Sequence, residues 1–361
     1  MALLIDNEIA QSVLKVEDAV EVIENAFSQL GEGNAAFQPR TDILSPVENG
    51  GELDYYWWHS LIGATLDPPR LTFRFVSDVY SWQRDNENKL REIQYNVEMG
   101  KSMGFVLLFD SSSGEIIGLL NDEALQHARV GATAGVACKY LSKKDSDTVG
   151  IIGSGGMARS YLEAFAAVRE LSKIYVYSPT KLHREKFSEE MSSVLGVDVI
   201  AVKSPDKAVK NADIIATCTN AGSPVFTEDF VSDGVFLVDT KSSEVSIDAT
   251  LKFDKIIGTT REPYLASEDY VVGPKELLNR HIELHGKSGF QKREYPTLSE
   301  IIHKKSIGRN NDEESIYFHN RSTGIQFTAI CDLVHRICSE KGLGKEIPLE
   351  WFQQDLNRSY S

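Results

Sequence analysis

The sequence predicts an α/β protein in which a parallel-sheet unit is inserted into an α+β segment. Three observations predict it. Between residues 148 and 257, short apolar strands (148–152, 174–177, 197–202, 213–217, 235–238 and 255–257) alternate with helical stretches. That alternation is the pattern of a mostly parallel sheet covered on both faces. Before about residue 124 the grammar differs, with runs rich in aromatic and branched residues at 55–62, 71–79, 104–110 and 115–120 that read as strands. Near the end, Ile330, Leu333, Val334 and Ile337 mark one more amphipathic helix.

The elements follow in order. Val16, Val20, Ile23, Phe27 and Leu30 keep a helical period, and Gly31 stands where a C-cap belongs. Asp110 to Gly114 reads as a hairpin loop between two strands. A Gly-rich turn follows strand 148–152 and opens a helix to about residue 170. A second helix covers 180–195, and Ser204-Pro205 opens a short third one, Pro being suited to a first helical position. Residues 280–320 are polar and irregular. Gly342, Gly344 and Pro348 stop the last helix.

Composition narrows the function. The 361 residues include 42% hydrophobic and 25% charged residues, ordinary for a globular protein. Lys and Arg total 38 against 53 Asp and Glu, a formal charge of −15. This argues against nucleic-acid or anionic-membrane partners, and any anionic ligand needs a locally basic pocket. No run reaches the ~18 apolar residues of a membrane span. The start turns acidic at Asp6 without a basic region, unlike a signal peptide. Cys138, Cys218, Cys331 and Cys338 show no Cys-x-x-Cys spacing and read as core thiols of a cytoplasmic protein.

The strongest motif runs from Val149 to Ala158. It fits G-x-G-x-x-A between a strand and a helix, with Gly153, Ser154, Gly155, Gly156, Met157 and Ala158 as the turn. Gly153 permits the tight turn, Gly155 removes a side chain that would block a pyrophosphate, and Ala158 lets helix and strand pack closely. The helix N-terminus offers free N–H groups to phosphates. This is the Rossmann dinucleotide pattern; the alternative is a Gly-rich α/β turn with no ligand.

The end of the second strand bears on which dinucleotide. A carboxylate there would accept from the adenine ribose and repel a 2′-phosphate. Here Ser178, Thr180, Lys181 and Arg184 precede the first acid, Glu185. The sequence therefore favours NADP(H), with NAD(H) admissible; the alternative is that Lys181 and Arg184 solvate the next helix. Thr217, Cys218, Thr219 and Asn220 end a later strand, where small polar residues line the nicotinamide side of the crevice or form an ordinary loop.

Three stretches together (Arg129 to Leu141, Val149 to Ala158, Ala212 to Thr219) resemble the ornithine cyclodeaminase/μ-crystallin family. Gln38 to Thr41, Phe109-Asp110, Gly114 to Leu120 and Gly342 to Pro348 extend the resemblance. It implies a homodimer. Residues 1–124 plus 322–361 would bind substrate and dimerise, and residues 125–321 would form the Rossmann NAD(P)-binding domain. It also implies hydride transfer between nicotinamide and the α-carbon of a small amino or imino acid.

Carried over by position, Arg40 and Arg129 stand where the family grips the substrate carboxylate, a role suited to bidentate guanidinium. Each could instead form a salt bridge at a domain or subunit contact. Two departures stand out. Arg74 replaces a family lysine, and a guanidinium cannot shuttle a proton. Ser243 or Glu244 replaces the aspartate that handles the amine in cyclodeaminases. Both weigh against diamino-acid cyclodeamination and leave hydride transfer intact. Candidates for a proton source are His59, Lys241, Asp239 and Glu244. Lys241 could instead contact cofactor, and His59, in the aromatic run 55–60, could be core or dimer interface.

His281 and His285 have i, i+4 spacing but no clear third ligand, so no metal is expected. The expectation is an NADP(H)-dependent oxidoreductase acting on a C–N bond: it reduces an α-imino (ketimine) acid or oxidises the matching amino acid. The alternatives are a cyclodeaminase-type lyase and a weakly catalytic, crystallin-like NADP(H)-binding protein.

Overall fold

A computed structural model describes residues 1–48, 51, 54–85, 88–261, 267–285 and 294–356. The first part of the chain builds a mainly antiparallel sheet. Its strands are β1 (Ala2–Ile5), β2 (Ala35–Phe37), β3 (Thr41–Pro46), β4 (Tyr55–Thr65), β5 (Arg70–Arg84), β6 (Leu90–Tyr95), β7 (Gly104–Asp110) and β8 (Glu115–Asn121). Between Leu71 and Tyr80 of β5, burial alternates. Thr72, Arg74, Val76, Asp78 and Tyr80 face inward, and Leu71, Phe73, Phe75, Ser77 and Val79 face outward, as a period of two requires.

Three helices come from the same part: α1 (Asn7–Val13), α2 (Val16–Glu32) and α3 (Asp122–Leu141). The sequence expectation for the end of α2 is corrected here. Gly31 lies inside the helix, where a Cβ would collide with His303. The cap is Gly33, whose φ of 85° is the left-handed conformation a glycine adopts freely. α3 begins at Asp122 and packs on both α2 and the first helix of the inserted unit.

The inserted unit is a seven-stranded sheet formed by β9 (Thr148–Ile152), β10 (Lys173–Tyr177), β11 (Asp198–Ala201), β12 (Ile214–Thr217), β13 (Phe236–Asp239), β14 (Lys255–Gly258) and β15 (Ile316–His319). The order is β11-β10-β9-β12-β13-β15-β14, and every pairing is parallel. Its central strands are buried on both faces, which explains their unbroken apolar runs. Helices α4 (Gly156–Ala166), α5 (Lys181–Leu195), α6 (Pro205–Val209), α7 (Ile247–Lys252), α8 (Glu276–His285) and α9 (Leu298–Ile302) belong to this part of the chain. The region read as irregular, 280–320, therefore contains β15, inserted between β13 and β14. Its run Ile316-Tyr-Phe is short and flanked by polar residues, so it leaves little periodic signal.

The chain then returns to the first sheet. Helix α10 (Gly324–Lys341) packs on β4 and β5 and ends at Gly342. Strand β16 (Lys345–Ile347) pairs antiparallel with β1, which pairs parallel with β8. All four cysteines are buried free thiols. No helix among the described residues is long and apolar enough to cross a membrane.

Candidate active site

The sheet order reverses direction at β9, between β10 and β12. The crevice outside the strand ends at such a switch point is where α/β sheets take their ligands. The glycine turn sits there. Gly153 has φ 121°, and a Cβ on it would lie 2.0 Å from the Cys218 carbonyl oxygen, so only glycine fits. Gly155 is exposed, with no atom within 4 Å of the place a Cβ would take. It N-caps α4 with no side-chain bond. No side chain caps the first turn of α4, which carries Gly156 and Met157, while Ala158 is fully buried. These residues fit a dinucleotide pyrophosphate. Arg159, which the motif does not single out, ties the turn down by donating to the Ser154 and Gly155 carbonyls and pairing with Glu190.

At the end of β10, Ser178 is buried and Arg184 folds back, donating to the Ser178 and Pro179 carbonyls at 2.8 and 3.2 Å. Thr180 N-caps α5 without a side-chain bond. Lys181 stays on the surface and pairs with Glu185 at 3.6 Å. Arg184 therefore holds its charge under the turn, and Lys181 is spent on its own helix.

The ends of β12 and β13 are bound by one carboxylate. Glu244 is fully buried. It accepts from the Thr219, Thr240 and Lys241 backbone N–H groups at 2.5, 3.2 and 3.1 Å, and from the Thr217 hydroxyl at 3.2 Å. Burial pushes its carboxyl above the usual range, opposed by Lys241 and by the Thr219 bond. Cys218 is buried, and burial raises its thiol well above the ordinary value. Lys241 turns to Glu92 on β6 at 3.2 Å. Strand β6 itself docks on this loop: Glu92 N–H donates to the Asn220 carbonyl, Gly222 N–H to Leu90, and the Asn220 amide to Glu92. Lys241 is thus paired across to β6, and Glu244 is tied to the ends of β12 and β13.

A second buried cluster closes the edge beside them: it joins Asp239, a candidate proton source in the sequence, to Tyr317, His319 and Asn320, which the sequence does not single out. Asp239 at the end of β13 is fully buried and accepts from the Tyr317 hydroxyl, the His319 ring and the Asn320 N–H. Asn320 in turn donates to the Val130 carbonyl on α3. The sequence signal for these partners is a polar His-Asn pair directly after an apolar tripeptide.

From Val130 the next residue back is Arg129, which belongs to a cationic cage. Arg129 is buried and donates to Gln126 at 2.6 Å and to Gln326 at 3.3 Å. Gln326, on α10, is absent from the sequence reading. Phe327, its neighbour, lies 5.0 Å below the guanidiniums of both Arg129 and Arg74, a cation–π seat. Arg74 pairs with Asp122 at 2.5 Å and donates to His59 Nε2 at 2.8 Å. Arg40 pairs with Asp42 at 2.8 Å and lies 4.9 Å over the Trp57 ring. Burial, reinforced by Arg74, Arg40 and Arg129, holds the His59 imidazole well below its ordinary value. The four sequence candidates Arg40, His59, Arg74 and Arg129 therefore converge in one electrostatic neighbourhood. His59 stands in it as a neutral ring, not as a charged acid.

Outside the cage, Tyr55 and Trp57 face inward with Tyr80 and Trp82, covered by the segment that carries Val271 and Leu277. His281 bonds the Tyr55 hydroxyl at 3.1 Å; the His285 side chain lies outside the described set. Among the described residues no group of three or more His, Cys, Asp or Glu is arranged to hold a metal.

Fold and site together define a class: a dinucleotide-type parallel sheet joined to a second sheet that carries a buried arginine cage. Residues 86–342 match the ornithine cyclodeaminase/mu-crystallin family, and the chain belongs to that family. It is 31% identical over 263 residues to Delta(1)-pyrroline-2-carboxylate reductase of Bacillus cereus, covering 71% of this chain and 78% of that protein. It is 33% identical over 132 residues to the ketimine reductase mu-crystallin of Rattus norvegicus, 37% of this chain and 41% of that one. In fold it is similar to Thermococcus litoralis Delta(1)-pyrroline-2-carboxylate reductase, solved with NADH and L-proline. The TM-score is 0.75 at 24% identity, covering 96% of this chain and all of that one.

Proposed function

We propose that the chain is an NAD(P)-dependent oxidoreductase acting on a C–N bond, reducing an α-imino (ketimine) acid or oxidising the matching amino acid. The observation that carries this is the arginine cage. It is linked through Arg129, Val130, Asn320 and Asp239 to the ligand-taking edge of the parallel sheet. The reductases named above support the same reading.

The dinucleotide, when bound, supplies or takes the hydride. The α4 N–H groups behind Gly153–Met157 hold its pyrophosphate, and Thr217–Asn220 border it. NADP(H) is preferred, because Arg184 places a guanidinium under the Ser178 turn and no acid opposes it; NAD(H) remains usable. Arg40 and Arg129 grip the substrate carboxylate. Arg74 stiffens the cage. Near neutral pH no cage side chain releases a proton, since guanidinium holds its own above ~12 and His59 is already neutral. The imine therefore enters as the iminium, the form that accepts hydride. Glu244 is buried and held at the strand ends by four donors, an arrangement that favours a structural role over that of the base in ammonia-releasing cyclodeamination.

Residues 1–124 with 322–361 serve as the substrate and dimerisation domain and 125–321 as the dinucleotide domain; the two sheets support this division. The protein acts as a cytoplasmic homodimer. Support for the dimer comes from the outer face of the first sheet, where half-buried Trp58, Phe73, Phe75 and Phe105 cluster with centroids 4.1 to 6.2 Å apart. The test is titration calorimetry with NADPH and NADH, followed by NADPH oxidation with cyclic ketimine acids. NADPH is expected to bind more tightly and to be consumed. Binding of neither dinucleotide, or no consumption with any imino acid, overturns the reading.

A further inference from the structure

His59 carries an unanswered donor. A guanidinium has no acceptor atom, so the 2.8 Å contact from Arg74 Nη1 makes His59 Nε2 the acceptor. In a neutral imidazole the proton then resides on Nδ1. That Nδ1 is buried and meets no hydrogen-bond partner, and the residue is 92% buried, being 8% exposed. The tautomer is fixed from behind: Arg74 is itself locked by Asp122 through Nε at 3.1 Å and Nη2 at 2.5 Å. Carboxylate, guanidinium and imidazole thus form a chain that ends in one N–H. Trp57 flanks the imidazole at 5.0 Å.

A buried donor without an acceptor is costly and rare, so a ligand atom is the natural complement. That atom cannot belong to an ammonium, which has only donors and would face Arg40, Arg74 and Arg129. It has to be an oxygen or another lone-pair atom. One carboxylate has only two oxygens, and two guanidiniums supply enough N–H groups to saturate it. The His59 donor is therefore surplus to the α-carboxylate.

We infer that His59 is a specificity-determining residue whose Nδ1–H reads an acceptor oxygen on the substrate's side chain. The preferred imino or amino acid then carries a second carboxylate, or a neutral carbonyl in its place, and lacks a side-chain amine. Arg74 is the positioning residue for His59. This rests on the reading of Arg40 and Arg129 as the α-carboxylate site, and the experiment separates the two.

The probes are unreactive acids bound to the enzyme saturated with NADP⁺: succinate, butyrate and 4-aminobutyrate, by calorimetry. Succinate should bind about tenfold or more tightly than butyrate, the size expected of one hydrogen bond to a charged acceptor, and 4-aminobutyrate more weakly than butyrate. His59→Phe should bring succinate and butyrate within twofold, while His59→Asn, which keeps an N–H donor, should retain part of the preference. In amino-acid oxidation the same variants should lower the ratio of kcat/KM for glutamate to that for norvaline, His59→Phe more than His59→Asn. If butyrate binds and succinate gains nothing, or if His59→Phe keeps the preference, the inference is overturned while the carboxylate cage stands. If no acid binds to an enzyme that does bind NADP⁺, the cage reading falls and the inference with it.

Discussion

The glycine turn and the arginine cage are made of opposite materials. The turn is backbone: its key property at Gly153 is a φ of 121° and a carbonyl 2.0 Å from where a side chain would begin. The cage is side chains, each charge held by a separate partner: Arg40 by Asp42, Arg74 by Asp122, Arg129 by two glutamines. A backbone site tolerates no change at one residue and is indifferent to most others. A side-chain site distributes its geometry over many residues, and damage to one partner strands another.

The largest effect expected from this contrast is in the cage. Arg74→Met leaves the Asp122 carboxylate buried without its cation, which costs about 3–5 kcal/mol; urea unfolding measures it. Adding Asp122→Leu should recover most of the loss, and if it does not, the pair is not the cause. On the turn, Gly153→Ala forces strain of about 1–3 kcal/mol. It should weaken dinucleotide binding by about tenfold or more while succinate binding to the apoenzyme is unaffected. A parallel loss of both would erase the distinction between the two sites.

Smaller changes sharpen it. Arg184→Ala removes a charge-assisted bond of about 1.5–3 kcal/mol, so NADPH should weaken and NADH stay within twofold in calorimetry. Equal losses would disconnect Arg184 from the 2′-phosphate. Replacing Phe75 on the outer sheet face by Asp should give a monomer in sedimentation, with the dinucleotide affinity intact.

The smallest effect is in pH. His59 is held neutral in the folded chain, below its unfolded value of 6.5. The unfolded chain takes the proton first. Stability from this group is complete above about 6.5 and declines as pH falls below it. His127 and His319 shift the same way, both chiefly by burial. Thermal unfolding should therefore soften between pH 7 and 5, and His59→Asn should flatten that slope. An unchanged slope would mean the imidazole is not held neutral.

The same contrast explains what was legible in the sequence. The turn is local: Gly150 to Ala158 declare it because each residue answers a constraint set by its near neighbours. The alternation of strands and helices from 148 to 258 was legible for the same reason. The cage was half legible. Arg40 and Arg129 stand at positions a family resemblance points to, and Arg74 is visible as a departure. Their partners were not, because Asp122, Gln326 and Phe327 reach the cage only after β5, α3 and α10 pack together. Pairing β4 with β5 brings His59 opposite Val76, two residues from Arg74, a relation no spacing along the chain encodes. Strand β15 escaped for a related reason. A four-residue strand buried on both faces has no alternation to show. Gly31 misled because two glycines, Gly31 and Gly33, compete for one cap, and only the packing of His303 excludes the first.

Strand β1 has a consequence for the birth of the chain. Residues 2–5 leave the ribosome well before their partners, which are β8, ending at Asn121, and β16, beginning at Lys345. The first sheet cannot be completed or covered by α10 until the chain has emerged as far as Ile347. The inserted parallel sheet draws all seven strands from one continuous stretch, 148 to 319, and can close on itself while the N-terminal strands still wait. Long-range pairings of this kind fold slowly and expose unpaired edges meanwhile. The order of synthesis and the order of completion are thus reversed, and the half built on the first sheet is the last to become whole.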